Sequence, residues 1–207
     1  VNLFNGAAGA DDGLSGNTGA GILVGGVITG NVNNNFADNN QGSGIVLNGF
    51  NGGSVTSNWT DRNGEDGLQL NGIMVGDIFG NSAYDNDGNG IHLTDGSTLE
   101  GDIANNTAGA GNVTTQDGRP SANASGNGID GIRIAGSVTG NVTGNNTHRN
   151  DGNGIHLTNT GTINGNVTGN FAGGFTGTVL DPGATFGNGQ DGIFINGTLI
   201  GNVTNNN

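Results

Sequence analysis

A four-residue motif occurs seven times along the chain: a glycine, an aliphatic residue, any residue, and a second aliphatic residue. The copies begin at Gly21, Gly44, Gly67, Gly90, Gly131, Gly154 and Gly192. Four of the six intervals between them are 23 residues long, and the others are 41 and 38 residues. A period in this range is typical of solenoids, in which each repeat packs only on its neighbours. The repeat therefore constrains the fold more strongly than any other feature.

A second glycine follows the first by nine or eleven residues in every repeat, and it precedes Asn, Asp or Ser and then a β-branched residue. Two asparagines recur in phase with these glycines. One set is Asn35, Asn58, Asn81, Asn106, Asn145, Asn170 and Asn206. The other is Asn17, Asn40, Asn63, Asn86, Asn127, Asn150 and Asn188. Asparagine tolerates left-handed backbone angles and can hydrogen-bond an asparagine stacked above it. These residues are therefore predicted to form structural ladders.

Aliphatic residues alternate with period two inside each segment, which indicates strands rather than helices. Three short strands separated by Gly/Asn bends predict one rung of about 23 residues, and stacked rungs would pair in parallel. The predicted fold is an all-β solenoid of seven rungs that spans residues 1–207 as one domain. Because the sequence begins at Val1 and stops within a repeat, we expect it to be a segment of a longer array.

The repeat resembles the right-handed parallel β-helix of pectate-lyase-like enzymes and autotransporter passenger domains. Residues 145–157 look like a typical copy, and residues 136–143 and 160–168 are similar to passenger repeats of bacterial surface proteins. This resemblance covers nearly the whole chain. It implies the fold and its handedness, but the same repeat carries enzymes, adhesins and inert stalks.

Composition excludes several classes of function. The formal charge is −13, and the chain has four arginines and no lysine, which makes nucleic acid and anionic membranes poor partners. The sequence has no cysteine and no apolar run long enough to span a bilayer, so neither disulfides nor membrane insertion is expected.

Two long excursions interrupt the repeat, at residues 109–126 and 173–187, and they contain both prolines of the chain, Pro120 and Pro182. Each excursion follows a rung that carries two extra residues, the fourth and the sixth. The third and fourth rungs therefore match the fifth and sixth, so that a two-rung unit is duplicated. Excursions at one corner would project on one side of the solenoid, where binding loops usually lie.

The residue between the two aliphatics of the motif should point outward and form a column along the solenoid. Its central members are polar or basic: Gln69, His92, Arg133 and His156. In the enzymes that the repeat resembles, a substrate groove follows this strand. The column is therefore a candidate glycan-binding surface, with an ordinary solvated strand face as the alternative. No carboxylate lies in it, which argues against catalysis.

Calcium is the candidate ion. Asp77 and Asp102 occupy equivalent outward positions in consecutive rungs, with Glu100 nearby, and such stacked charges favour a bound cation. A second candidate set directly precedes the opening glycines at Asp66, Asp130 and Asp191, and two of its flanking segments partly resemble calcium-binding nonapeptide repeats. Turn chemistry explains these acids equally well.

These observations predict a non-catalytic structural or adhesive segment of a secreted or cell-surface repeat protein, such as a stalk, passenger, surface-layer or filament component. Its expected partners are surface glycans or further copies of itself, stacked end to end. Two alternatives remain open: a carbohydrate-active β-helix that binds or cleaves a polysaccharide, and a calcium-dependent surface assembly module.

Overall fold

The computed structural model describes residues 4–5, 16–109, 126–173 and 187–207. Every strand pairing in this part of the chain is parallel, and the described residues contain no helix. The strands form four sheets of six or seven strands that run the length of the molecule. The predicted parallel β-helix is thereby confirmed. Most of both excursions, residues 110–125 and 174–186, lies outside the described residues.

Sheet 1 contains the repeated motif. It is formed by β2 (Ile22–Val24), β5 (Ile45–Leu47), β9 (Leu68–Leu70), β13 (Ile91–Leu93), β17 (Ile132–Ile134), β21 (Ile155–Leu157) and β25 (Ile193–Ile195). Sheet 2 follows it in each rung and is formed by β6 (Phe50–Asn51), β10 (Ile73–Val75), β14 (Thr98–Glu100), β18 (Ser137–Thr139), β22 (Thr162–Asn164) and β26 (Thr198–Ile200).

Sheet 3 begins after the second glycine. It is formed by β3 (Val32–Asn33), β7 (Val55–Thr56), β11 (Ile78–Phe79), β15 (Ile103–Ala104), β19 (Val142–Thr143), β23 (Val167–Thr168) and β27 (Val203–Thr204). Sheet 4 completes the rung with β1 (Phe4–Asn5), β4 (Phe36–Asp38), β8 (Trp59–Asp61), β12 (Ser82–Tyr84), β16 (Thr107–Ala108), β20 (Asn146–Thr147) and β24 (Phe171–Ala172).

A complete rung thus has four short strands instead of the predicted three. The second predicted strand is divided where the second glycine and its polar neighbour bend the chain, as at Gly76 and Asp77 between β10 and β11. Gly76 has φ of 141°, a conformation that residues with a Cβ rarely adopt. The bend separates sheet 2 from sheet 3 and adds a corner to the cross-section.

The core consists of columns of aliphatic side chains parallel to the solenoid axis. Sheet 1 contributes two inward columns, whose central members Ile91, Leu93, Ile132 and Ile134 have no exposed surface. Sheets 2 and 3 each contribute one column, and sheet 4 contributes small residues such as Ala83 and Ala108. Because neighbouring strands are in register, each side chain packs on its equivalents in the rungs above and below.

The opening glycine of each rung is required by close packing at the corner between sheets 4 and 1. A Cβ on Gly90 would lie 2.7 Å from the side-chain nitrogen of Asn127 and 2.9 Å from the Cβ of Ala108. Both distances are shorter than real Cβ contacts. The glycine, the asparagine and the small residue therefore depend on one another, which explains why they recur together.

Two asparagine ladders hold the corners on either side of sheet 4. In both, the side-chain Nδ2 of each asparagine donates to Oδ1 of the next, over 2.7–3.1 Å. The residue before most ladder asparagines has a left-handed backbone, including Arg62 and Arg149, with φ of 52° and 59°. That conformation turns the asparagine inward, and it costs a residue with a Cβ roughly 1–2 kcal/mol.

Replacing Asn106 with alanine is expected to lower the free energy of unfolding by at least about 3 kcal/mol, since several buried groups lose a partner at about 1–3 kcal/mol each. Asn106 donates to Asn145 Oδ1 at 3.0 Å and to the Ile78 carbonyl at 2.9 Å, and its Oδ1 accepts from Asn81. Chemical denaturation would measure the loss. N164A, on an exposed position of β22, is the matched control and should change stability little. Equal losses in the two variants would contradict the role of the ladder.

Candidate functional site

The predicted outward column lies on sheet 1 as one continuous strip. Strand pairing places Gln69, His92, Arg133, His156 and Phe194 side by side in successive rungs. Adjacent members are therefore about 4.8 Å apart along the axis. We call these five residues the sheet 1 strip. The structure brings together all four residues that the sequence predicts as glycan contacts, and Phe194 occupies the next position of the same predicted column.

A third ladder borders the strip, at the position directly before each opening glycine. It alternates acid and amide, in the order Asp66, Asn89, Asp130, Asn153 and Asp191. Asn89 donates from its backbone N–H and its Nδ2 to Asp66 Oδ1, at 2.7 and 2.8 Å. Asn153 makes the same two bonds to Asp130 Oδ1, at 2.7 and 2.9 Å. The Asp130 and Asp191 backbones donate to the intervening asparagines at 3.1 Å. We call this set the acid–amide ladder.

The second carboxylate oxygen of two ladder acids holds a histidine of the next rung. His92 Nδ1 lies 2.7 Å from Asp66 Oδ2, and His156 Nδ1 lies 2.8 Å from Asp130 Oδ2. An ionised carboxylate only accepts hydrogen bonds, so Nδ1 carries the proton in both rings. Each imidazole is therefore fixed in orientation and tautomer, with Nε2 directed away from the acid. The two pairs occupy equivalent places in the duplicated two-rung unit.

The pKa of both acids is held below its usual range. Burial alone would raise the pKa of Asp66, but the hydrogen bond and charge of His92 and the donors of Asn89 outweigh it. The pKa of Asp130 is lowered against the effect of burial by the Asn153 backbone donor and by His156. Both acids therefore stay ionised at neutral pH and remain acceptors for the imidazoles.

The two units differ in the residue that precedes the histidine on the strip. In the second unit Arg133 Nη1 donates to Asp130 Oδ2 at 3.0 Å and lies 3.1 Å from His156 Nδ1. Because Nδ1 already donates to Asp130, the guanidinium and the imidazole share one acceptor. Gln69 occupies the same place in the first unit, with Oε1 3.3 Å from the Ser43 hydroxyl. The second unit is accordingly the more basic of the two.

Phe194 ends the strip beside His156. The two ring centroids are 5.1 Å apart, with the planes tilted by 39°, and Phe194 is 38% exposed. The phenyl ring therefore contacts the imidazole and keeps part of its surface exposed. The strip thus offers two imidazole acceptors, a guanidinium donor and an aromatic surface in a fixed linear order.

Asp77 and Asp102, which the sequence predicts as metal ligands, form hydrogen bonds within a ladder of their own. Asp77 Oδ1 accepts from the Asp102 backbone at 2.9 Å, and Asp102 Oδ1 accepts from the Asn141 backbone at 2.6 Å. Glu100 is exposed on β14. Within the described ranges, no group of three or more His, Cys, Asp or Glu side chains is placed to hold a metal ion. The calcium sites remain predictions.

A second cluster of charges, which was not predicted from the sequence, lies on the outer surface of sheet 4. Arg62 binds both carboxylate oxygens of Asp38, at 3.2 and 2.8 Å, and its Nε lies 3.3 Å from Asp61. Asp61 is 7% exposed, and burial raises its pKa to about 7, with Asp38 and Asp85 adding to the effect against Arg62. Asp38 and Asp61 are one 23-residue repeat apart and pair in register, so the period was a signal that could have found them.

Comparison with known proteins identifies a family. Residues 8–119, which are more than half of the chain, match the family described as "Periplasmic copper-binding protein (NosD)". The chain belongs to the NosD family. No curated protein matches the chain, and neither does any solved structure.

Membership of NosD, a repeat family with a periplasmic description, agrees at a coarse level with the predicted surface repeat protein and with a location outside the cytoplasm. The match covers the Asp66–His92 pair and ends before Asp130, so the second unit of the sheet 1 strip lies beyond it. The described residues also contain no helix that is long and apolar enough to cross a membrane.

Replacing Asp130 with asparagine is expected to preserve the acid–amide ladder and invert the tautomer of His156. An asparagine can still accept from Asn153, but its NH2 group would face Nδ1, which must then become an acceptor. The ¹⁵N chemical shifts of the His156 ring at pH 8 would report the change. D151N removes a charge from an exposed neighbouring acid and should leave the tautomer unchanged. Retention of the Nδ1 proton in D130N would contradict this geometry.

Replacing Asp61 with asparagine is expected to stabilise the protein at pH 8 and to have little effect at pH 4. The folded pKa of Asp61, about 7, exceeds the ordinary 3.8. The protonated side chain's contribution to stability is therefore fully present below about pH 4 and is lost as the pH rises through 7. This difference corresponds to at most about 4 kcal/mol. Thermal melts of wild type and D61N across this range would measure it, with D95N, on an exposed acid, as the control. A difference in stability that does not change with pH would refute the expectation.

Proposed function

We propose that this chain is a structural and adhesive segment of a cell-envelope repeat protein, in which a stiff solenoid presents the sheet 1 strip to a surface glycan. The observation that carries the proposal is the fixed order of polar and aromatic groups on the strip, supported from below by the acid–amide ladder. In this proposal the chain binds its ligand without changing it.

The chemistry of the strip suits a polysaccharide. Sugar hydroxyls can donate to His92 Nε2 and His156 Nε2, because the tautomer leaves both nitrogens as acceptors in the neutral rings. Arg133 keeps further N–H groups beyond the one bound to Asp130 and can donate to a ring, hydroxyl or carboxylate oxygen. Phe194 offers an apolar face to a sugar ring. Such a mixture of directed polar groups and an aromatic surface is typical of binding sites.

The spacing of the strip also favours an extended ligand. The two imidazoles lie two rungs apart, which is about 9.6 Å along the axis, and Arg133 belongs to the rung between them. The whole strip spans about 19 Å over four rung steps. A linear polymer lying along the axis can contact all five residues, whereas a small ligand reaches only two or three. Pre-ordering by the ladder reduces the entropy that binding must offset.

A polysaccharide-cleaving activity is the second candidate, and the Asp–His pairs favour it. An imidazole held by a carboxylate at Nδ1, with Nε2 free, is the arrangement of a general base. Glycosidases, however, ordinarily use two carboxyl groups on either side of the bond that breaks. Asp66 and Asp130 each direct one oxygen into the ladder and the other to a histidine, so neither is free for that role. Binding without cleavage is therefore the proposal that we favour.

A calcium-dependent assembly module is the third candidate, and it depends on the stacked pair Asp77 and Asp102. The described contacts assign one oxygen of each acid to the ladder. A rise of the melting temperature with calcium, reversed by a chelator and lost in D77N/D102N, would support this alternative.

The binding proposal predicts that R133Q and the double variant H92Q/H156Q weaken retention on a polysaccharide. The probe is a panel of immobilised neutral and uronic-acid-containing polysaccharides, measured by affinity electrophoresis in metal-free buffer. Loss of a hydrogen bond to a charged group should weaken binding about tenfold or more. T139A alters an exposed residue in the same rung on sheet 2 and is the matched control.

The outcomes of this measurement separate binding from cleavage. Binding lost in the strip variants with the polymer length unchanged supports adhesion. Shortening of the polymer by wild type, abolished in H92Q/H156Q, would establish the enzyme instead. Retention that is the same in wild type, R133Q and T139A would overturn the assignment of the strip.

The description of the NosD family includes copper binding, and this description applies to the family as a whole. A copper site in proteins is usually built from imidazole, thiolate or thioether groups. Whether this chain has such groups in the required places can be tested on its own residues.

A further inference from the structure

The chain has few of the imidazole, thiolate and thioether side chains that usually bind copper, and all of them lie in the described residues. The chain contains three histidines, one methionine and no cysteine. Met74 has no exposed surface and packs in the core through β10. His148 is 3% exposed, and its Nδ1 lies 3.0 Å from the side-chain oxygen of Asn146. Only His92 and His156 remain accessible.

These two histidines cannot share one ion. Strand pairing places Arg133 between them, so they are two rungs or about 9.6 Å apart along the axis. Metal–imidazole bonds are about 2 Å long, so two imidazoles on one ion must approach far more closely than this. Each ring is also fixed in place by its acid.

Each histidine has the hydrogen bond to a carboxylate that metal-binding histidines usually have. A metal-binding imidazole almost always donates its other ring N–H to a carboxylate or carbonyl, which fixes the ring and strengthens the ligand. Asp66 and Asp130 provide this contact at 2.7 and 2.8 Å. No further group completes a site around either ring among the residues that the structure describes. The donors therefore do not fit a multi-ligand copper centre.

We infer that the described residues of this chain form no shared copper centre and offer Cu(II) two independent one-imidazole positions, His92 Nε2 and His156 Nε2, of which His92 binds more tightly. This inference concerns a metal and does not depend on the proposed glycan function. It separates this chain from the copper-binding description of its family. Cu(I), which prefers thiolate and thioether ligands, has no accessible sulfur here.

The difference between the two positions follows from their neighbours. Arg133 Nη1 lies 3.1 Å from His156 Nδ1, whereas the equivalent place beside His92 is held by the uncharged Gln69. A nearby positive charge disfavours a second cation, and a pair of charges a few ångströms apart in water changes an equilibrium by about fivefold. R133Q makes the second unit match the first, so it should remove this difference.

The test is a titration of the folded chain with Cu(II) at concentrations where light scattering shows a monomer. Broadening of the His92 and His156 ring signals by the paramagnetic ion would identify each position, and electron paramagnetic resonance would count the bound nitrogens. We expect one protein nitrogen per ion, loss of one position in H92Q and of the other in H156Q, and an affinity for His156 that rises about fivefold in R133Q. T139A, outside the strip, should match wild type.

Three results would overturn the inference. One is a single ion with two or more imidazole nitrogens in the monomer. Another is copper that remains bound in H92Q/H156Q, which would require ligands other than these rings. The third is a Cu(II) titration that broadens the signals of only one of the two rings or of neither. Circular dichroism melts of each variant in metal-free buffer show that it is folded, and glycan retention measured in the same buffer shows whether the two functions fail separately.

Discussion

The hydrogen bond between stacked asparagines is the interaction on which the rest of the structure depends. Each rung buries polar corners that water cannot reach, and an unpaired buried amide costs about 1–3 kcal/mol. The ladder asparagines satisfy these corners by giving one N–H to the next rung and another to a carbonyl, as Asn58 does with Asn81 and Val32. Because every bond links neighbouring rungs, the ladders fix the register of the sheets. That register then aligns the outward residues of sheet 1 into a strip.

The acid–amide ladder connects this scaffold to the candidate site. A ladder asparagine uses both its side-chain oxygen and its side-chain nitrogen for hydrogen bonds within the ladder. An aspartate needs only one carboxylate oxygen for the ladder, so its second oxygen can accept a hydrogen bond from another residue. Asp66 and Asp130 use that oxygen to hold a histidine in the next rung. Alternation with Asn89 and Asn153 keeps the two charges from stacking directly, which like charges at rung spacing would oppose. The same residue therefore contributes to stability and positions an imidazole.

The repeat period was sufficient to predict the parallel β-helix, its core columns and the members of the sheet 1 strip, because in-register stacking converts a sequence period into a spatial column. It could not predict that Asp66 and His92 form a pair. Their separation of 26 residues is one repeat plus three, so the contact crosses between two columns that the period treats as separate. From the sequence alone, the acid is predicted to bind a metal and the histidine a glycan. Only side-chain geometry shows that one holds the other.

The two copies of the two-rung unit can be compared with each other, which separates the residues of the scaffold from those that set the charge of the strip. Both copies keep the acid, the amide and the histidine, so the Asp–His pair is compatible with either neighbour on the strip. On the strip itself the two units differ at the residue between the aliphatics of the preceding rung, which is Gln69 in one unit and Arg133 in the other. That position is half-exposed and makes no contribution to the core, so it can vary without cost to the fold. A change there alters the charge presented to a ligand while the ladder beneath it stays the same, and specificity in such a solenoid can therefore be set one rung at a time.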